Sequence, residues 1–212
     1  GHESGPGLGE KILQLPEAIS GLRRELLLVQ LILKFNEGRS TDEGRTAGGL
    51  DAAQAAHLAR DLASFIDQVQ TEGLDFADLA DVVPEQLATH WQLTLDFLRI
   101  VTDFWPDILA AENCVDPALR RNRLLELQAE AWRENPPRHP VIAAGSTGSI
   151  PATAELLRSI AHLPQGCVVL PGLDRQMSDD AWSTAREDAS HPQFGMAHLL
   201  EVFSLQRADV AD

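Results

Sequence analysis

The stretch Pro140–Pro151, PVIAAGSTGSIP, constrains this chain more than any other. Val141–Ala144 is a short apolar run, Gly145-Ser146-Thr147-Gly148-Ser149 are all small, and Pro151 sits where a helix can begin. An apolar run of that length bounded by turn residues reads as a buried strand. Proline is preorganised for the first turn of a helix. Strand, small-residue loop and helix N-terminus is the order in which α/β proteins build their sites, because the first N–H groups of the helix have no intrahelical partner and can face an anion. Before Pro140 the pattern is helical; after it, strand and helix alternate.

Composition narrows the partners. The 212 residues are 44% hydrophobic, enough for a packed core, and carry a formal net charge of −15. The parts before and after Pro140 are each acidic, which argues against either being the main phosphate-gripping surface of a nucleic-acid protein. Cys114 and Cys167 fall in different predicted units and read as reduced thiols of a cytoplasmic protein. No apolar run approaches the roughly 20 residues of a membrane span. The N-terminal GHESGPG has no pattern, so residues 1–9 are expected to be a tag or disordered tail, and the chain reads as an excised piece of a larger protein.

In chain order, a first helix is expected from Pro16, with Ile19, Leu22, Leu26, Val29 and Leu33 on one face, Leu27, Leu28, Leu31 and Ile32 widening it so that the helix is buried on two sides, and Asn36 and Gly38 at its end. Residues 36–49 read as a surface loop. Asp51 caps a second helix, with Leu58, Leu62, Phe65, Ile66 and Val69 on its apolar line and Gly73 as its stop. His57, without a metal-spaced partner, reads as structural. Pro84 opens a third helix with a stripe of Leu87, Trp91, Leu95, Leu98 and Trp105. Its aromatic cluster of Trp91, Phe97, Phe104 and Trp105 lacks interleaved basic residues and reads as core rather than as a base-stacking platform. Pro106 forces a kink or restart. Asp116 is expected to cap, and Pro117 to open, a fourth helix bearing Leu119, Leu124, Leu127 and Ala131, and with it the basic cluster Arg120, Arg121 and Arg123. That cluster is either a solvated face or a phosphate contact. After the stiff Asn135–Pro140 linker, Val141–Ala144, Pro151–Leu163 and Cys167–Leu170 form a β-α-β unit, followed by helices near Ala181–Glu187 and Met196–Gln206. The expected fold is mainly α with a small α/β part: a helical domain over 10–135, then a partial RecA-like parallel unit over 140–212.

The chemistry is sparse. The histidines are isolated and no HxxxH or CxxC spacing occurs, so no metal site and no cofactor are expected. AGSTGSIP lacks the GxxxxGK[ST] spacing and lysine of a P-loop. Neither Ser146 nor Ser149 stands in a GxSxG elbow.

The run VIAAGSTGSIPATAELLRSIAHLPQGCVVLPGLD, the later HPQFG and the upstream HWQLTLDFLRIVTDFWPDIL resemble the AddB family of double-strand-break repair subunits, of the alphaproteobacterial type. The likeness covers essentially residues 10–210. It implies a longer parent with a nuclease domain, working with an AddA-like helicase-nuclease subunit on DNA ends, and it makes this chain part of a helicase-like region that has lost its ATPase motifs. Helicases that this family resembles end one strand in Asp-Glu, followed by Gln-Asp. Anchored on Pro151, the acidic pair corresponds to Ala144 and Gly145, and Gln-Asp to Thr147 and Gly148. Their next strand ends in Gly-Asp with a γ-phosphate-sensing glutamine; here Leu170, Pro171 and Asp174 occupy those positions. A carboxylate is needed to hold Mg²⁺ and orient the attacking water, and alanine and glycine supply none.

The resemblance therefore implies a non-catalytic scaffold contacting DNA and the partner subunit. Ser146, Thr147 and Ser149 could offer neutral hydrogen bonds to phosphate, as could Gln193 and His191 in HPQFG, or the small loop residues serve close packing alone. Two other functions stand beside it: a nucleotide-dependent enzyme using the GSTGS loop, and a protein-interaction module with no DNA role.

Overall fold

The computed structural model describes residues 7–42, 50–76, 98 and 100–211. Over the described residues the chain is mainly helical with two small parallel sheets of two strands each. It divides into two compact units, one comprising residues 15–121 and the other residues 1–14 together with 122–212.

In the unit of residues 15–121, β1 (Glu17–Ala18) pairs in parallel with β2 (Cys114–Val115). The expected helix therefore begins not at Pro16 but later, as α2 (Gly21–Asp42); the short α1 (Leu8–Leu13) lies in the other unit. A pairing across nearly the whole unit leaves no local signature, so the periodicity of the following helix runs past it. The helix also continues beyond Asn36 and Gly38, taking in part of the expected 36–49 loop. The rest of that loop, residues 43–49, lies outside the described residues.

Only part of the wide apolar face expected of α2 is buried. Leu28 and Ile32 are buried, as is Arg24 at 5% exposure, whereas Leu22 is 71% exposed and Leu26 half-exposed. Leucine and isoleucine occur almost all round this helix, so periodicity admits several faces. The buried partner of Arg24, Asp116, selects one of them.

Against α2 packs α3 (Ala52–Thr71), which begins as the sequence expects: the Asp51 carboxylate accepts from Gln54 N–H and the Gln54 side chain accepts from Asp51 N–H, closing a capping box. It ends at Gly73, whose φ of +67° lets Leu74 N–H reach back to Val69 C=O at 3.1 Å. Leu62, Ile66 and Val69 are buried as expected, joined by Ala55 and Ala59.

The third expected helix falls largely outside the described residues, with Leu87, Trp91, Leu95 and Phe97 among the undescribed. A π-helical turn, Ile100–Phe104, runs directly into α4 (Trp105–Ala111). Pro106 has no N–H to give and crowds the carbonyl four residues earlier, so the widened turn lies where the ordinary ladder cannot continue. Trp105 is buried in the core with Leu28, Ile66 and Ile100, while Phe104 is exposed.

The helix expected after Asp116 is α5 (Pro117–Glu134), and the boundary between the two units falls within it. Its buried positions are Ala118, Asn122, Leu127 and Ala129; Leu119 is exposed.

In the second unit β3 (Val141–Ala144) and β4 (Gly166–Val169) pair in parallel, Val141 opposite Gly166 and Ala144 opposite Val169, connected through α6 (Pro151–Ala161). Gly166 has no room for a side chain: a Cβ there would stand 1.8 Å from Ile160 C=O. The tail forms α7 (Asp179–Glu187) and α8 (Phe194–Phe203). Ala143 and Val168 turn inward onto Ala154, Leu157, Leu199 and Phe203 of α6 and α8. The alternate positions face outward, with Ile142 68% and Val169 50% exposed. No described helix is long and apolar enough to cross a membrane.

Candidate functional site

The residues singled out in the sequence fall into three places.

The first is the loop leaving β3. Ala144 and Gly145 are exposed, and Gly145 has φ +77° with open space where a Cβ would lie. Gly148, at φ +61°, is buried, and a Cβ there would approach Leu199 Cδ1 to 2.5 Å. Its N–H donates to Ser146 Oγ at 3.3 Å, folding the loop over its own hydroxyl. Thr147 and Ser149 face solvent. The two glycines thus do different work: Gly145 supplies a left-handed turn in the open, and Gly148 lets the loop sit on α8. Ile150 is the N-cap of α6 and makes no side-chain cap, so the cap position leaves the first amides of α6 to other partners.

The second place is the loop after β4, which the structure joins to HPQFG. Asp174 Oδ1 accepts from Gln176 N–H at 2.9 Å and Met177 N–H at 3.1 Å, a turn built on its own carboxylate. Gln193 clamps this loop from the start of α8: its Oε1 accepts from Asp174 N–H at 3.0 Å and its Nε2 donates to Gly172 C=O at 2.9 Å. His191 Nδ1 in turn accepts from Gln193 N–H at 3.1 Å, which leaves Nε2 to carry the proton in the neutral ring. Asp174, remote in sequence from His191 and Gln193, thus meets them in one hydrogen-bonded group. Leu170 packs on the core and Pro171 is exposed. The sequence reading missed Arg207. Its guanidinium donates to Met177 C=O at 2.6 Å, pairs with Asp179 at 2.7 Å and lies 4.8 Å over the Trp182 ring. Nearby, Asp188 Oδ1 accepts from the Ser190 hydroxyl at 2.7 Å and from Ser190 N–H at 2.9 Å. Those donors hold its carboxyl below the usual range.

The third place is the start of α5, where the arginine triplet disperses. Arg120 donates to Pro16 C=O at 3.0 Å, Arg121 to Thr71 Oγ1 at 2.9 Å, and Arg123 pairs with Glu126 at 3.0 Å and Glu130 at 3.4 Å. Each of the three guanidiniums is engaged by its own partner.

Immediately before the triplet lies the most enclosed polar group among the described residues of 15–121. Asp116, expected as a helix cap, is fully buried. Its Oδ2 accepts from Trp105 Nε1–H and Gln70 Nε2–H, each at 2.9 Å. Its Oδ1 lies 2.8 Å from Arg24 Nε, an ion pair whose N–H is not aligned for a hydrogen bond. Arg24 Nη1 donates to Asp67 Oδ2 at 3.0 Å. The only hint in the sequence was an arginine amid leucines. Among the described residues no three His, Cys, Asp or Glu side chains gather as they would around a metal ion.

No protein-family model, curated protein or solved structure matches this chain.

Proposed function

We propose that the chain is a non-catalytic, helicase-like scaffold segment of an AddB-type DNA double-strand-break repair subunit, a partial RecA-like unit with a helical insertion. It serves DNA end processing in the cytoplasm by contacting DNA and an AddA-like helicase-nuclease partner. The supports are the sequence resemblance and one observation. The loop leaving β3 keeps the backbone of a site, with left-handed glycines at 145 and 148 and a helix N-terminus beyond. Its acidic positions are held by Ala144 and Gly145, which have nothing to grip Mg²⁺. Thr147 and Ser149 are exposed there as neutral donors toward phosphate oxygens.

Two titrations test this. Labelled forked DNA, followed by fluorescence anisotropy, is expected to bind at low salt and to release as salt rises, because phosphate contacts displace counterions. Calorimetry with Mg-ATP is expected to show no heat; micromolar binding would overturn the scaffold reading in favour of a nucleotide-dependent enzyme using the GSTGS loop. A second reading, a protein-interaction module without DNA contact, is favoured by the engagement of Arg120, Arg121 and Arg123 within the fold. Absence of DNA binding even at low salt selects it.

A further inference from the structure

We propose that the cleft between the last turns of α5 and α6 binds a small aromatic oxyanion of the aryl phosphate class. It lies at the opposite end of α6 from the Gly145–Ser149 loop and is independent of that loop's function. The cleft has a volume of about 230 Å³, with Trp132, Arg133 and Pro136 on one side and Arg158, Ser159 and His162 on the other. That is below the roughly 300–1,000 Å³ of sites for drug-sized ligands, and suits one ring with one charged group.

Charge in the cleft runs against the chain. Arg133 Nη1 donates to Glu155 Oε1 at 3.2 Å, while Arg158 Nε and Nη2 donate to the same carboxylate at 2.8 and 2.9 Å. Two guanidiniums sharing one carboxylate leave a local positive charge in a protein of net charge −15. The bonds also fix both guanidiniums in place, and those N–H groups not used on Glu155 are available to an oxyanion. The donation by Arg158 holds the Glu155 carboxyl below its usual range, so this framework persists into mild acid. His162 Nδ1 lies 2.8 Å from Arg158 C=O. A carbonyl only accepts, so Nδ1 carries the hydrogen and Nε2 is left to a ligand or to water.

Ser159 is the independent observation. It is 6% exposed, and its Oγ has no hydrogen-bond partner. A buried hydroxyl left unpaired destabilises the protein that keeps it. Ser159 belongs to the cleft wall with its Oγ sealed from solvent, so a ligand oxygen accepts from it once χ1 turns the hydroxyl toward the cleft, while Trp132 and Pro136 offer apolar surface to a ring.

The test is titration of the whole chain with phenyl phosphate, followed by amide NMR shifts and tryptophan fluorescence, with inorganic phosphate and phenol as probes carrying half the chemistry each. Saturable shifts are expected at residues 132–136 and 158–164, with weaker binding of both half-probes. Arg133→Gln or Arg158→Gln is expected to weaken binding about tenfold, the weight of one charge-assisted hydrogen bond. Arg186→Gln, whose guanidinium is likewise paired to a glutamate, is expected to leave it unchanged. Ser159→Ala should raise the melting temperature of the free protein and still weaken binding, a combination that a merely structural serine would not produce. Absence of saturation, or an equal loss in Arg186→Gln, overturns the proposal.

Discussion

Replacing Asp116 by alanine is expected to destabilise this protein more than any surface substitution. The carboxylate is fully buried, and its loss strands three groups: the Trp105 indole N–H, one donor of Gln70, and Arg24, itself 5% exposed. Among the described residues Arg24 then keeps only Asp67, whose side chain is 44% exposed and which solvent screens. Removing one partner of a buried ion pair costs roughly 3–5 kcal/mol, chiefly because the other charge stays buried and uncompensated. In a chain of this size that lowers the melting temperature by on the order of 10 °C. Urea unfolding followed by far-UV circular dichroism measures it. The exposed pair Arg60–Glu25, at 2.8 Å, is the internal control, and Arg60→Ala is expected to cost less than about 1 kcal/mol. A cycle of Arg24→Met with Asp116→Asn separates the pair from its surroundings. The double variant should be less destabilised than the sum of the singles, with a coupling of roughly 0.5–3 kcal/mol. If Asp116→Ala costs no more than Arg60→Ala, or the cycle is additive, the Arg24–Asp116 pair does not set which face of α2 is buried.

The glycines and titrating groups give further tests. Gly166→Ala places a Cβ 1.8 Å from Ile160 C=O, and because that atom is backbone, a loss at or above the usual overpacking cost of about 1–3 kcal/mol is expected on thermal melting. Gly145→Ala meets no neighbour and should cost only the left-handed backbone penalty of about 1–2 kcal/mol. Gly148→Ala combines that penalty with a clash against a side-chain terminus, Leu199 Cδ1 at 2.5 Å, and should fall between the two. Glu155 has a depressed folded-state pKa, held there first by Arg158. Its contribution to stability is therefore fully present above the unfolded value of about 4.3 and is lost as pH falls through the lower folded value. Melting curves of Glu155→Gln and wild type should differ at neutral pH and converge below that window. A constant gap down to strong acid would refute the assignment.

Local signals were legible wherever the responsible residues are neighbours in sequence. Asp51 with Gln54 closes a cap, Gly73 ends α3, Pro106 follows a disturbed turn, and the run from Val141 through Pro151 to Val169 is strand, helix and strand. The errors have one source. Pro16 has the local features of a helix start, but the residues after it pair as β1 with a segment almost a hundred residues away. Leu22 and Leu26 were placed inside because nothing local says that Arg24 must turn toward Asp116. Asp116 itself has the local features of a cap, and only the approach of Trp105 and Gln70 makes it a buried acceptor. Of the candidate site, the loop at Gly145–Ser149 could be read from its composition. The meeting of Asp174 with Gln193, and the strap formed by Arg207, could not.

The sequence by itself determined the class of structure: helices followed by a short parallel β-α-β unit, an acidic chain, and a loop after β3 without carboxylates. Those are properties of residue type and short-range spacing, which act whatever the rest of the chain does. The tertiary structure alone decided which face of α2 is buried, how the three arginines of α5 are engaged, and that Gly148 rests on Leu199 whereas Gly145 stands in the open. Each depends on a partner brought close by folding. The desolvation of a charge or the volume of a methyl group outweighs local preference only once that partner is in place.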